Sequence, residues 1–303
     1  MTGFLGYLAG FLTNAAIYAM FALGLNIQFG TTGLINFGHV AFLAIGAYTT
    51  ALLTVAGVAF GWALLAGTVA SLLVSFLLAY PVVRLRDDYL AILTIGFAEI
   101  VRILANNLRF TGGPQGVWGI KPPMLTWGLS YDLWRWMFLG LCVLLLALVM
   151  ILVQYITRSP YGRVLMAIRE DQDAAVSLGK NITTYKLVSF GLGAAVAGLA
   201  GGLLAAFLQT ITPNNFVALV TFEAWIIMVL GGAGRNWGII LGALIYYGLF
   251  TASSRLVVMG IGGLQPAALG ALRLALIGAL LIALMIYRPQ GILGRKEDLT
   301  VGR

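Results

Sequence analysis

Charge is what this 303-residue sequence has least of. Asp, Glu, Lys and Arg together make up 9% of it, against roughly 25% in a typical water-soluble domain. With 61% hydrophobic residues, too few charges remain to cover a buried core of this length with a wettable surface. Lipid must therefore be the solvent for most of the chain. The single cysteine, Cys142, lies in an apolar run, which excludes a disulfide framework and a thiolate metal cluster and leaves a small packing residue. One histidine is a thin basis for acid–base chemistry, and no Ser–His–Asp or Cys–His arrangement emerges. The G-x-x-x-x-G-K-S/T phosphate loop is absent, so any ATP that drives this chain must be bound by another one. A net charge of +8 does not point to nucleic acid. The basic residues sit between apolar blocks, as the positive-inside rule expects, and form no patch or aromatic-interleaved stripe.

What is present is a series of apolar blocks. A helix needs about 20 such residues to cross the hydrocarbon core. Nine candidate spans follow: Gly3–Phe29, Gly33–Ala56, Val58–Val83, Tyr89–Asn107, Leu133–Ile156, Tyr185–Leu208, Phe216–Gly231, Trp237–Ala252 and Pro266–Tyr287. Gly33–Ala56 is polar at its start and Phe216–Gly231 is short. The first block has no Lys or Arg before it and is longer than a signal-peptide core, so it is expected to be a membrane helix. The predicted fold is an all-α polytopic membrane protein, a bundle of about eight to ten transmembrane helices. It is expected to form one transmembrane domain over residues 1–303, with no soluble domain and no strong internal repeat. Arg84 and Arg86, then Arg158, Arg163, Arg169, Lys180 and Lys186, then Arg288, Arg295, Lys296 and Arg303 mark three cytoplasmic segments if the N-terminus is outside. An added or lost half-span near Thr31 would reverse the N-terminus alone. Glycine is abundant, 39 residues, mostly within apolar blocks, where it allows close helix approach in lipid.

The cytoplasmic connection RSPYGRVLMAIREDQDAAVSLGKNITTYK, within residues 157–186, is built as more than a linker. Ser159 is placed to cap a helix that has Pro160 at its first position, and Gly179 is a natural stop. Val164, Leu165, Ile168, Ala175 and Leu178 form an apolar stripe, and Arg163, Arg169, Glu170, Asp171 and Asp173 take the polar side. The acids divide it into two short helices meeting near Asp171. A helix lying on lipid headgroups would be expected to carry mostly Lys and Arg, and close acids are repelled by an anionic leaflet. A groove in another protein fits this face better.

Here the sequence resembles a known family. SPYGRVLMAIREDQDAAVSLGKNITTYKLVSFGLGAAVAGLAGGL looks like the permease subunits of ABC importers for branched-chain amino acids, the M-type more than the H-type. The match includes GLINFGHVAFLAIGAYTTALL, YLAILTIGFAEIVRILANNLRFTGGPQG, VLGGAGRNWGIILGA and the tail RPQGILG, in the family's order. The resemblance implies that the long loop is a coupling helix docking in a cleft of an ATPase subunit. It assigns that role to Gly162, Arg163, Ala167, Ile168, Arg169, Glu170, Asp171, Ala174, Ala175 and Gly179. Lys180 departs from the pattern, which has an apolar residue before the Asn-containing turn. The resemblance further implies an H-type permease partner, two ABC ATPases that bind the ATP and Mg, an extracytoplasmic solute-binding protein, and a bacterial inner membrane. Urea or short amides are alternative substrates within the family.

Ionisable groups at membrane depth cost around 3 kcal/mol each and mark functional candidates. Glu99 has Arg102 one turn on, so either an intrahelical pair or a pathway role is expected. Glu223 has no neighbouring base in sequence, which makes it a candidate for an interhelical partner or a translocation position. Two residues midway in the membrane would also suit an ion-coupled secondary transporter, a rival class. His39, with Asn36, reads as a hydrogen-bonded packing residue or a pore lining, and no ligands are spaced to make it a metal site. Asn26 and Gln28 are expected at the interface. Thr111, Gly112 and Gly113 open a tight outward turn that the resemblance places near the gate or the binding protein.

Overall fold

The computed structural model describes residues 2–85, 87–125, 128, 130–260, 275, 278–279, 282, 286–287 and 290–293. Ten α-helices are defined among them: α1 (Thr2–Thr32), α2 (Val40–Val55), α3 (Phe60–Val82), α4 (Asp87–Asn107), α5 (Tyr131–Arg158), α6 (Pro160–Glu170), α7 (Gln172–Ser177), α8 (Ile182–Leu208), α9 (Ala218–Gly231) and α10 (Asn236–Gly260). No strand is present among the described residues beyond a single bridge, Val117 to Ile211. The expected all-α polytopic fold is what the chain adopts. Most expected spans match helices to within a few residues, and the predicted ninth, Pro266–Tyr287, falls largely outside the described residues.

Not every expected span is a single continuous helix. Among the described residues four helices, α1, α3, α5 and α8, are long and apolar enough to cross a membrane, and α9 and α10 taken together make a fifth crossing. Those two are bent by 117° at their break. The block predicted from Gly33 is non-helical as far as His39, leaving α2 with 16 residues. At 1.5 Å per residue α2 covers about 24 Å, short of the ~30 Å core. The α9–α10 break falls between the expected Phe216–Gly231 and Trp237–Ala252 spans, and the polar start of the Gly33 block is the part that leaves the helix.

Helix α8 forms the centre of the bundle, packed between α1, α2 and α3. Its contacts are backbone on backbone. A methyl added at Gly24 would lie 2.6 Å from the Gly193 carbonyl, and one at Gly46 or Gly201 would strike the carbonyls of Gly198 or Leu43. In lipid, apolar side chains gain little by turning inward, so association depends on this close packing. Glycine at these positions is therefore the condition for the bundle. Around it Phe42, Phe190, Phe97 and Phe21 fill the remaining space with edge-to-face and tilted ring pairs. By contrast Leu73, Leu77, Ile92, Leu144, Ile151 and Tyr155 project outward from α3, α4 and α5.

Replacing Gly46 or Gly201 by Ala is expected to cost about 2 kcal/mol through overpacking. Gly140→Ala, whose added methyl meets no atom within 4 Å, should instead stabilise by about 0.5–1 kcal/mol. Thermal unfolding of the detergent-solubilised protein separates the two classes.

Candidate functional site

Two non-helical segments pack against buried polar residues on two faces of α1, residues 33–39 beside Gln28 and residues 232–235 beside Asn26. In lipid an unpaired backbone group costs several kcal/mol, so broken helices survive only where protein satisfies them. Residues 33–39 run back alongside α1, from Gly33 against Arg169 to His39 stacked on Phe21 with ring centroids 4.9 Å apart. Along the way the Phe37 N–H donates to Thr94 Oγ1 at 3.1 Å, the Val40 N–H to Thr221 Oγ1 at 3.0 Å, and Trp225 Nε1 to the Asn36 carbonyl at 3.2 Å. Gly38 sits so close to the Thr94 carbonyl that any side chain would collide with it. Thus three helices, α4, α9 and α1, hold the segment.

The second break, residues 232–235, joins α9 to α10. Gly232 and Gly234 both have positive φ, 104° and 82°, conformations that favour glycine. The Gly234 N–H donates to Asn26 Oδ1 at 2.8 Å, and Asn26 Nδ2 donates to Asn236 Oδ1 at 2.9 Å. Asn236 Nδ2 in turn lies 3.0 Å from the Gln154 amide oxygen. A chain of amides therefore connects α1, the break and α5. The end of α9 is completed by the C-terminal tail: the Ile292 and Leu293 N–H groups donate to the carbonyls of Leu230 and Gly231 at 2.9 and 3.2 Å.

Asn26 and Gln28, expected at the interface, are instead fully buried. Gln28 Nε2 donates to the Phe190 carbonyl at 2.9 Å, and its oxygen accepts from Asn36 Nδ2 at 2.8 Å. The correction has a physical reason: hydropathy places a polar residue at a span's end, whereas only partner groups reveal that it bridges helices. Asn36 is also fully buried. His39 is buried in the same region, but its ring makes no hydrogen bond of good geometry, although the Phe21 backbone lies within reach. The hydrogen-bonded packing role expected of it gives way to aromatic stacking.

The remaining membrane candidates are scattered. Glu99 and Arg102 pair on α4 through bonds of 2.5 and 2.9 Å, the intrahelical alternative, at a partly exposed position. Glu223 lies on α9 within electrostatic reach of Tyr18 on α1 and Tyr247 on α10, whose rings are 5.1 Å apart. These tyrosines are the interhelical neighbours that sequence could not name. Thr111 caps the end of α4, donating to the carbonyls of Ala105 and Leu108 at 2.7 Å each. Gly112, Gly113 and Gly116 all have positive φ, and the Val117–Ile211 bridge pins this outer turn to the α8–α9 connection.

On the opposite side of the bundle, α6 and α7 form the expected helical pair. Ser159 Oγ accepts from the Gly162 N–H at 3.2 Å, and Asp171 Oδ1 accepts from the Ala174 N–H at 3.0 Å, so each helix has its own cap. Gly162, Leu165, Ile168 and Ala175 face inward and are buried. Gly162 is required there, since a side chain would strike the Ile156 and Thr157 carbonyls at the α5–α6 turn. Val164 is half-buried and Leu178 is 77% exposed, so the predicted apolar stripe divides between two faces. Arg163, Met166, Ala167, Glu170, Asp171, Ala174, Val176 and Gly179 lie on the outer face.

Three contacts tie this pair to the bundle. Arg169 Nη1 donates to the Gly30 carbonyl at 2.5 Å, at the end of α1 beside the amide chain. Lys186 Nζ donates to Gln172 Oε1 at 3.1 Å, linking α8 to α7. Tyr161 donates to the Tyr185 carbonyl at 3.1 Å and stacks on the Tyr185 ring. Burial pushes the Tyr161 phenol up to about 12, with the Tyr185 hydroxyl adding to the shift, so it stays a neutral donor at physiological pH.

A sequence profile described as the branched-chain amino acid transport system permease component matches residues 7–285. The chain belongs to that family. It is 38% identical to the LivM permease protein of a high-affinity branched-chain amino acid transport system from Salmonella typhimurium, over 93% of this chain and 68% of the relative. The LivH permease protein of Escherichia coli is 28% identical over 94% of both chains, and a probable LivM protein of Methanocaldococcus jannaschii is 27% identical over 76% of both. The M-type likeness is the stronger, as the motifs implied. No solved structure matches. The chain is a multi-pass membrane permease component and not a catalytic enzyme.

Asn26→Leu should leave the Gly234 N–H and one side of Asn236 without their partner at a part-buried site, lowering stability by about 1–3 kcal/mol. Asn14→Leu, which removes only a bond to the Gly10 carbonyl within α1, is expected to cost less than about 1 kcal/mol. Chemical denaturation in mixed micelles measures both.

Proposed function

We propose that this chain is the M-type permease subunit of an ABC importer that moves leucine, isoleucine and valine inward across the bacterial inner membrane. Its partners are an H-type permease, two ABC ATPases and an extracytoplasmic binding protein, and the ATP and Mg reside in the ATPases. The observation that carries this reading is the outer face of α6–α7. It is an exposed mix of apolar Met166, Ala167 and Val176 with the acids Glu170 and Asp171. The pair's own hydrogen bonds and the Arg169–Gly30 contact hold that face rigid against the bundle.

Mechanistically, ATP-driven closure of the ATPases displaces α6–α7. Arg169 passes the displacement to the end of α1, and the amides of Asn26 and Asn236 pass it to the α9–α10 break. The two broken elements are the parts of the bundle least supported by continuous helix, so they are where reorientation takes place. Alternating access follows from their movement against the partner permease. Substrate choice rests mainly with the binding protein, in keeping with the few polar groups at membrane depth.

The test is ATP-dependent leucine uptake and ATPase copurification for the complete complex in proteoliposomes. Glu170→Lys is expected to release the ATPase and abolish uptake. Asp171→Asn, which keeps the cap oxygen but removes the charge, should weaken docking by about tenfold while leaving α7 folded. Arg169→Ala should retain the ATPase and its ATP hydrolysis yet reduce uptake by at least about tenfold, because docking and transmission are separated. Transport by this chain alone, indifferent to all three changes, would contradict the proposal. Uptake of urea in place of leucine by the same complex would move the substrate and leave the coupling intact.

A further inference from the structure

Helix α4 has two unlike sides. Its inner side, with Leu90, Thr94, Ala98 and Ala105, is buried and packs on α2. Thr94 on that side accepts the Phe37 N–H at 3.1 Å, and its carbonyl lies against Gly38, so α4 helps to hold the 33–39 segment. The other side is open. At about 100° per residue Ile92, Gly96, Glu99 and Ile103 fall within about 60° of one another there, with Arg102 at the edge. Ile92 and Ile103 are 67% and 47% exposed, and the side chains of Glu99 and Arg102 are 47% and 26% exposed.

Hydrocarbon is a poor neighbour for that side. With 21 residues α4 reaches about 32 Å, yet it is not among the helices that are both long and apolar enough to cross a membrane. Glu99 stands about 7.5 Å along the helix from Thr94, eight residues before its end. Facing lipid, its pair with Arg102 would keep the desolvation cost of two charges, which two apolar side chains would avoid. By comparison α1 and α3 carry no charged residue, and α5 carries none between Arg135 and Arg158. Gly96 is a second feature without a use in lipid. A methyl there would meet no atom within 4 Å, so alanine would fit and would favour the helix. What glycine adds is room for another molecule to approach the backbone.

The charges indicate which molecule. A carboxylate and a guanidinium one turn apart, flanked by two isoleucines, are the complement of an aliphatic α-amino acid, which carries its ammonium and carboxylate on one carbon. We propose that this side of α4 lines the translocation pathway, facing the partner permease, and that Glu99 and Arg102 part to receive the ammonium and the carboxylate of the substrate. Without substrate the two side chains satisfy each other. With it one ion pair becomes two, so neither charge of the zwitterion crosses unpaired. Gly96 leaves space for the α-carbon, and Ile92 and Ile103 meet the aliphatic side chain. What is recognised is the zwitterion common to leucine, isoleucine and valine, so selection among side chains stays with the binding protein. The inference rests on the importer reading above, since urea has no charges for this pair to take.

The test is ATP-dependent leucine uptake by the complete complex in proteoliposomes, with ATPase copurification measured alongside. Glu99→Leu/Arg102→Leu is expected to lower uptake about a hundredfold and Glu99→Gln about tenfold, with the ATPases still bound. Glu99→Asp, which keeps the charge, should stay within about threefold of wild type. A second measurement uses a water-soluble thiol reagent after Cys142→Ala removes the single cysteine. Gly96→Cys should react, and leucine turnover should slow the reaction severalfold. Leu77→Cys, at a 79% exposed position on α3, should not react. Wild-type uptake by the double variant, no reaction at Gly96→Cys, or equal reaction at Leu77→Cys overturns the proposal and leaves the importer reading standing. If the double variant fails to assemble, the reaction at Gly96→Cys decides alone. A wild-type complex that takes up no leucine contradicts the importer reading, and this inference falls with it.

Discussion

Lipid surrounds this chain and dissolves leucine as readily as a protein core does, so its helices must be held by something other than the burial of side chains. The close approach of backbones at Gly24, Gly46, Gly193, Gly198 and Gly201 supplies it, because α8 then touches α1 and α2 carbonyl against Cα. Dispersion contacts are individually small and collectively large, and they require this proximity. The rest of the architecture depends on that central contact. With α8 fixed, α1 is fixed, and its two polar faces, Asn26 with Gly30 on one and Gln28 on the other, become a stationary support for elements that are not continuous helices.

Those elements are the ones that can move. The 33–39 segment and the α9–α10 break are both satisfied by side chains, chiefly Asn26, Asn36, Thr94 and Thr221, where a continuous helix would use its own carbonyls. Side-chain bonds can be exchanged without unwinding a helix. The polar groups missing from a conventional pathway are thus concentrated where the backbone needs them, and the Gly30 carbonyl, one turn beyond Asn26, reaches Arg169 of the cytoplasmic helical pair. Coupling from that pair to the membrane breaks needs no long-range wire, because a contiguous set of hydrogen bonds already joins them.

Much of this was legible in the sequence. The long helices α3, α4, α5 and α8 follow apolar blocks bounded by charge or by turn residues. The Ser159 cap and the acids around Asp171 announced both short helices, because a capping side chain acts on backbone two or three residues away and the acids interrupt the apolar pattern. The Glu99–Arg102 pair was equally local. What escaped was non-local. Asn26 and Gln28 looked interfacial because their partners, Asn236 and Phe190, lie more than 150 residues away. Residues 33–39 fall within the expected second span because a hydropathy window averages Asn36 and His39 with the apolar run that follows. The division of α6 into an inward Ile168 face and an outward Ala167 face needed the position of α1 and α8, which periodicity alone leaves open.

The central claim is that the outer face of α6–α7 meets an ATPase and not the headgroups of the bilayer. A photo-cross-linking side chain at Ala167, on that face, tests it most directly in the assembled complex within native membranes. The account predicts an adduct with the ATPase subunit at 167, and none when the same group is placed at buried Ile168. Adducts from 167 to lipid alone would mean that the helix lies on the membrane surface, and the coupling account would be wrong.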